Sequence, residues 1–114
     1  MMRVIVASDK SGLGVHNTNK VKFKVQIPKE VTVIQEAAFR WCSGLVAIEI
    51  LNSVTEIGFN AFERCTGLTS TEIPNSVTEI GDAAFLKCTG LTSIEIPNSV
   101  TEIGDYAFYG CTGL

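Results

Sequence analysis

The four cysteines of this chain recur at a constant interval of 23 residues. They are Cys42, Cys65, Cys88 and Cys111. Disulfide frameworks and zinc sites mix short and long cysteine spacings, as in CxxC pairs, so a constant spacing indicates a sequence repeat instead. A period of about 20–50 residues predicts a solenoid or array in which each copy packs on the next.

The sequence around the cysteines follows the same period. The copies are a half-copy at 21–30, full copies at 31–53, 54–76 and 77–99, and a partial copy at 100–114. The second and third copies differ at five of their 23 positions. We therefore divide the chain into a non-repeat segment, residues 1–20, and a repeat solenoid, residues 21–114.

Each copy is predicted to contain a short strand, a turn, a second extended piece and one turn of helix. In residues 91–96 two isoleucines alternate with Ser93 and Glu95, which is typical of a strand with one buried face. A Pro-Asn-Ser turn and the extended piece 100–103 follow. Asp105 is a plausible N-cap for a helical turn through Phe108. The predicted fold class is an α/β solenoid.

One copy is too small to bury its own apolar side chains, so successive coils must cover one another. Stacking at about 4.8 Å creates a continuous core and a parallel sheet, and stability becomes a sum of nearest-neighbour terms. Residues 21–27 alternate apolar side chains with lysines and a glutamine. This alternation predicts that they form the first strand of the stack.

The repeat is similar to the BspA-type leucine-rich repeat, whose pattern is close to LxxIxIPxxVTxIGxxAFxxCxxL. In one copy the matching residues are Leu68, Ile73, Pro74, Val77, Ile80, Gly81, Ala84, Phe85, Cys88 and Leu91. The similarity covers residues 31–114 well, 21–30 in part and 1–20 not at all. Thr71 departs from it, because it stands where a core isoleucine is expected. The resemblance implies a curved, right-handed superhelix with its strands on the concave face.

Few residues suggest catalysis. We interpret the cysteines as a ladder of small buried hydrophobic residues, although stacked thiols within roughly 5–6 Å could also form a metal site or a redox pair. His16 is the only histidine and lies in a Gly- and Asn-rich stretch outside the repeat. The strand-like start of residues 1–20 lacks the GxGxxG and GK[ST] signatures of phosphate loops. We expect no catalytic residue, no metal and no cofactor.

The glutamates form two columns with the repeat period. Glu56, Glu79 and Glu102 make one column. The other column is on the exposed strand face, where the candidate binding residues are Gln26, Glu49, Ser70, Glu72, Ser93 and Glu95. Such columns can recognise a basic partner or a cation. Alternatively, they form a solvated face that keeps the solenoid soluble.

The leading functional hypothesis is a non-catalytic scaffold that mediates protein–protein interaction or adhesion through its concave strand face. Its partner would be a protein or a glycan. The alternatives are a structural spacer within a larger surface protein and a small nucleotide-binding protein that uses residues 1–20. The family resemblance implies a cell-surface or secreted location, although the chain begins without a signal-peptide pattern.

Charge and hydropathy argue against two other classes of partner. The net charge of −3 gives no overall support for nucleic-acid binding. No apolar run approaches the roughly 18–20 residues of a membrane helix, so we expect no membrane insertion. After the last residue no further coil would cover Ile103, Phe108 and Cys111. We therefore expect self-association through this C-terminal end at high protein concentration.

Overall fold

The computed structural model describes residues 22–114. The predicted non-repeat segment, residues 1–20, lies outside the described residues, together with His16 and the suggested nucleotide site. The described part folds into eight short strands that recur along the coils. They are β1 (Phe23–Gln26), β2 (Val33–Ile34), β3 (Leu45–Glu49), β4 (Glu56–Ile57), β5 (Ser70–Glu72), β6 (Glu79–Ile80), β7 (Ser93–Glu95) and β8 (Glu102–Ile103).

All strand pairs are parallel and join residues one repeat apart. Strands β2, β4, β6 and β8 form one four-stranded sheet, whereas β1–β3 and β5–β7 form two separate pairs. In the four-stranded sheet Glu56 is aligned with Glu79, and Glu79 with Glu102. The predicted parallel stacking in register is thus confirmed. In β1 the predicted alternation is also seen, because Phe23 and Val25 are buried and Lys24 and Gln26 are exposed.

The predicted helical turn is wrong, because residues 22–114 contain no helix. Where the helical turn was predicted, each coil instead contains a run of consecutive turn residues. We call these segments the bends; they are residues 35–42, 58–65, 81–88 and 104–111. Their amides alternate between two kinds of partner. The amide of Ala38 donates to the carbonyl of Gln35 in its own coil at 3.1 Å, but that of Phe39 donates to Ala61 in the next coil at 2.8 Å. In an α-helix, by contrast, every amide would donate to the carbonyl four residues earlier in the same helix.

This alternation depends on left-handed residues spaced four apart in each bend. Ala37 has φ 57° and Trp41 has φ 63°. The equivalent residues of the other bends are Asn60, Arg64, Ala83, Lys87, Tyr106 and Gly110, all with positive φ. Such a backbone costs a non-glycine residue roughly 1–2 kcal/mol. The hydrogen bonds to the next coil hold these residues there, so the predicted α/β solenoid is an all-β one.

The core under the bends is a stack of phenylalanine rings. Phe39, Phe62 and Phe85 are completely buried. The ring centroid of Phe62 lies 5.4 Å from that of Phe39 and 5.1 Å from that of Phe85, and Phe108 continues the stack at 5.3 Å. The rings are within 12° of parallel. Each coil therefore covers the ring of its neighbour, as the period predicts.

Candidate binding groove

A groove runs across three successive coils, on the side where the longer strands lie. It has a volume of about 1480 Å³ and is lined by residues 47–52, 70–75 and 93–98. We call it the strand-face groove. In β5, Ser70 and Glu72 are exposed while Thr71 points inward, because successive side chains of a strand alternate between faces. The repeat therefore places the same exposed positions at the groove in each coil.

The structure brings most of the predicted binding residues together. Pairing of β5 with β7 aligns Ser70 with Ser93 and Glu72 with Glu95. These four residues and Glu49 line the groove. Gln26 does not line it, but Gln26 is aligned with Glu49 and donates a hydrogen bond from its Nε2 to the Glu49 Oε1 at 3.1 Å. The predicted column of polar residues thus continues one coil beyond the groove.

Sequence reasoning missed the asparagines of the groove. Asn52, Asn75 and Asn98 occupy equivalent positions just after the strands, are exposed, and line the groove. From the sequence alone, this position indicates only a turn. A carboxylate accepts hydrogen bonds only, whereas an asparagine amide both donates and accepts. The groove consequently offers mixed polar chemistry, with apolar Ile50 and Ile73 buried beneath it.

The second glutamate column lies outside the strand-face groove. Strands β4, β6 and β8 carry Glu56, Glu79 and Glu102 in direct register. The negative charges of Glu56 and Glu102 raise the pKa of Glu79, which is fully exposed. Like charges that lie opposite each other in a sheet are destabilising. This column therefore carries an electrostatic cost that a cationic neighbour would relieve.

Comparison with known proteins identifies the repeat. The family model for the BspA type leucine rich repeat region matches residues 16–114 with six copies. The chain belongs to the BspA-type leucine-rich repeat family. No curated protein matches the sequence significantly.

Two solved leucine-rich repeat structures are similar to this BspA-type chain. A leucine-rich repeat protein from Bacteroides ovatus shares 40% identity over 87% of this chain and 25% of its own, with a TM-score of 0.80. The T. pallidum leucine rich repeat protein shares 26% identity over 82% of this chain and 56% of its own, with a TM-score of 0.71. The chain thus spans a quarter of the first protein and about half of the second.

The cysteines of this BspA-type repeat are free and buried, as predicted. The Cys65 Sγ donates to the carbonyl of Phe39 at 3.0 Å, and the Cys88 Sγ to that of Phe62 at 3.1 Å. Burial raises the pKa of Cys42 to about 11 and that of Cys88 to about 12. Because the thiolate is the reactive form, thiols with such a high pKa are poor nucleophiles and poor metal ligands.

Two structural features are absent from residues 22–114. Nowhere in that range do three or more histidines, cysteines, aspartates or glutamates group closely enough to hold a metal ion. The same range contains no helix long and apolar enough to cross a membrane.

A buried carboxylate at the bends was not predicted. The side chain of Glu63 is 6% exposed and contacts the Nε of Arg40 at 3.0 Å and the Nε of Arg64 at 3.6 Å. Asn60 donates to it at 2.8 Å. The guanidinium of Arg40 also lies over the ring of Trp41, 5.0 Å from its centroid. The sequence did contain a signal, because positions 60, 63 and 64 are three of the five at which the second and third copies differ.

Proposed function

We propose that this chain is a non-catalytic leucine-rich repeat scaffold that binds a protein segment or a glycan in its strand-face groove. One observation carries the proposal: three coils present the same glutamate and asparagine positions, and two of them also a serine, to one groove of about 1480 Å³. A repeated set of polar groups suits an extended ligand, because each coil can contact one more segment of it. Family membership supports a place for this interaction at the cell surface or outside the cell.

The chemistry of the groove favours a ligand that is rich in hydrogen-bond donors. Glu49, Glu72 and Glu95 supply carboxylate acceptors along its length. Charge-assisted hydrogen bonds from ammonium or guanidinium groups to carboxylates are about twice as strong as neutral ones. The stacked coils hold these acceptors in place before binding, which reduces the entropic cost of association. Basic or hydroxyl-rich ligands are therefore the preferred class.

The burial of the thiols supports the non-catalytic part of the proposal. The cysteines are the most nucleophilic side chains of the repeat, and burial raises the pKa of each of them. Each of the three later thiols also donates to a carbonyl of the preceding coil. The cysteines therefore contribute to packing. Binding of a ligand depends instead on the exposed polar groups of the groove.

Charge reversal in the groove tests the proposal. The probes are arrays of basic peptides and of oligosaccharides, with the full chain at a low protein concentration. The double variant Glu72→Lys, Glu95→Lys should weaken binding to any ligand of the wild type by at least about tenfold. The matched control is Glu79→Lys, Glu102→Lys, which changes the charge equally on the other column and should leave binding unchanged. Equal loss in both variants, or no ligand for the wild type, would support the spacer alternative.

A further inference from the structure

All three basic residues of residues 31–114 lie in the bends. They are Arg40, Arg64 and Lys87. Trp41, Arg64 and Lys87 occupy equivalent positions in successive coils, and each donates its amide to the following coil at 2.7 Å. Their side chains therefore follow one another at the coil spacing of about 4.8 Å. We call Arg40, Trp41, Arg64 and Lys87 the cationic edge.

The arginines of this edge are held in fixed positions while their charges remain accessible. Both contact the buried Glu63 through Nε, yet the side chains of Arg40 and Arg64 are 49% and 47% exposed. Two guanidinium groups share one carboxylate, and Lys87 adds a third positive charge, which leaves the edge cationic. Trp41, 55% exposed, adds a large apolar surface in the same row. This combination of arginine and exposed tryptophan is typical of residues that dominate protein interfaces.

A complementary surface lies on the four-stranded sheet. The column of Glu56, Glu79 and Glu102 repeats its charges at the same coil spacing, and the repulsion among them already raises the pKa of Glu79. Beside it is a hollow of about 190 Å³ whose apolar lining includes Val33 and Phe59. The hollow is therefore an apolar site next to two of the three carboxylates.

We propose that two copies of this chain associate by placing the cationic edge of one copy on the Glu56–Glu79–Glu102 column of the other. Trp41 enters the hollow beside Phe59. The spacing favours a second copy over an extended acidic peptide. Side chains on one face of an extended peptide are about 6.6 Å apart, whereas the charges of a second coil stack repeat at about 4.8 Å. Only the stack keeps the charge pairs of both Arg64 and Lys87 in register.

Sedimentation of the full chain tests this association. The wild type should form dimers or larger species at about 0.01 M salt and dissociate at about 0.5 M salt, where charges are screened within a few ångströms. An edge variant, Arg64→Glu with Lys87→Glu, should remain monomeric at both salt concentrations. A column variant, Glu56→Lys with Glu79→Lys, should do the same. A wild type that is monomeric at low salt would overturn the proposal.

Mixing the two variants gives the decisive result. The acidic edge of the edge variant can then bind the basic column of the column variant. The unchanged basic edge of the column variant can likewise bind the unchanged acidic column of the edge variant. We expect the equimolar mixture to associate although neither variant does so alone. The matched control is Glu72→Lys with Glu95→Lys, which changes the net charge equally in the groove and should leave self-association intact. The proposal would be overturned if the mixture were monomeric, or if the edge variant and the column variant each associated when alone.

Glycine variants separate this role from a structural one. Trp41 and Lys87 have positive φ, and the equivalent residue of the last bend is already Gly110. Trp41→Gly and Lys87→Gly should therefore not lower the unfolding midpoint below that of the wild type. Each should weaken self-association at low salt by severalfold. Wild-type association in both glycine variants would contradict the proposed role of the edge.

Discussion

The bends and the strand side of each coil are held together in different ways. Three amides of each of the first three bends donate to the next coil, at distances of 2.7–3.0 Å, and the pattern repeats without a gap between them. On the strand side the ladder is interrupted, because β1–β3 and β5–β7 form separate pairs. The strand side also stacks like charges, and the buried hydroxyl of Thr71 lacks a hydrogen-bond partner within the described residues.

This difference shows that the two sides contribute differently to the molecule. The bends combine hydrogen bonds, stacked rings and buried thiols, so they supply much of the cohesion between coils. The strand side retains less favourable features, including stacked glutamates and an irregular ladder. Natural proteins tolerate such costs at functional surfaces. These features are those expected if, as proposed, the groove binds a ligand on a scaffold that the bends hold together.

The largest expected effect comes from removing a ring of the bend stack. Phe62 is completely buried between Phe39 and Phe85. Phe62→Ala should lower the free energy of unfolding by about 3–5 kcal/mol, because it removes apolar burial and leaves a cavity. Urea unfolding measures the change. Phe59→Ala, at an exposed residue of the same bend, is the control and should cost less than about 1 kcal/mol. Similar losses in both variants would contradict the importance of the stack.

On the strand side a substitution should increase stability. The Thr71 side chain is buried where the equivalent residue of the next coil is Ile94, and its hydroxyl is unpaired. Thr71→Ile should raise the free energy of unfolding by about 1–2 kcal/mol, because it replaces an unsatisfied hydroxyl with apolar surface. Thermal unfolding tests this. The neighbouring exposed Ser70→Ala should change stability by less than about 0.5 kcal/mol. A destabilised Thr71→Ile would mean that this side lacks room for the consensus residue.

A smaller effect separates backbone strain from side-chain packing in the bends. Lys87 has φ 57°. Lys87→Gly should be more stable than Lys87→Ala by about 1 kcal/mol, because glycine adopts this conformation without the steric cost that alanine retains. The comparison needs only the unfolding midpoints of the two variants. If alanine were the more stable, the left-handed conformation of the bend would be in doubt.

The smallest expected effect concerns the second glutamate column, Glu56, Glu79 and Glu102. The pKa of Glu79 is raised in the folded state, so the folded chain binds its proton more tightly than the unfolded chain does. The free energy of unfolding therefore falls as pH rises through the carboxylate range. Glu79→Gln should raise the melting temperature slightly at pH 7, and the gain should disappear near about pH 3, where the carboxylates are protonated.

The control for this substitution is Glu30→Gln, which makes the same change in net charge at an exposed residue outside both columns. If the control raised the melting temperature by the same amount, the change in net charge, and not the glutamate column, would be the cause. A gain for Glu79→Gln that persisted at low pH would show that repulsion between the glutamates is not its cause.

The strands and their register could be predicted because they depend on features that the sequence states directly. The 23-residue period fixes which residues meet between coils, as Glu72 meets Glu95. Alternation of apolar and polar residues fixes which side chains point inward, as in β1. The identity of the stacked core residues follows from the same period. None of these predictions required knowledge of the backbone conformation between strands.

The bends could not be predicted in the same way. Asp105 followed by apolar residues suggests a capped helical turn, and local sequence does not show that alternate amides bond to another coil. Six of the eight left-handed residues there are alanine, lysine, arginine or aromatic residues, which carry no signal for positive φ. Asn60 and Gly110 do hint at the conformation, because both residue types tolerate positive φ, and Gly110 replaces Lys87 at the equivalent position.

The candidate groove was predicted only in part. The exposed column of Glu49, Glu72 and Glu95 follows from alternation and period. The asparagines at its edge did not, because an asparagine after a proline is equally typical of a turn that binds nothing. The buried Glu63 was also missed, since its environment depends on side chains from two coils. Tertiary contacts of this kind are visible only in the folded chain.

The alternating amides of the bends restrict how the gene for such a protein can change. Deleting a single codon within a bend would shift the alternation after that point. Amides that donate to the next coil would then take the place of amides that donate within their own coil, so several bonds between coils would be lost at once. Adding or losing an entire 23-residue unit leaves every remaining junction as it was. Variation in length within this lineage should therefore proceed by whole units, while single-codon insertions and deletions accumulate only in the turns near residues 51–53 and their counterparts.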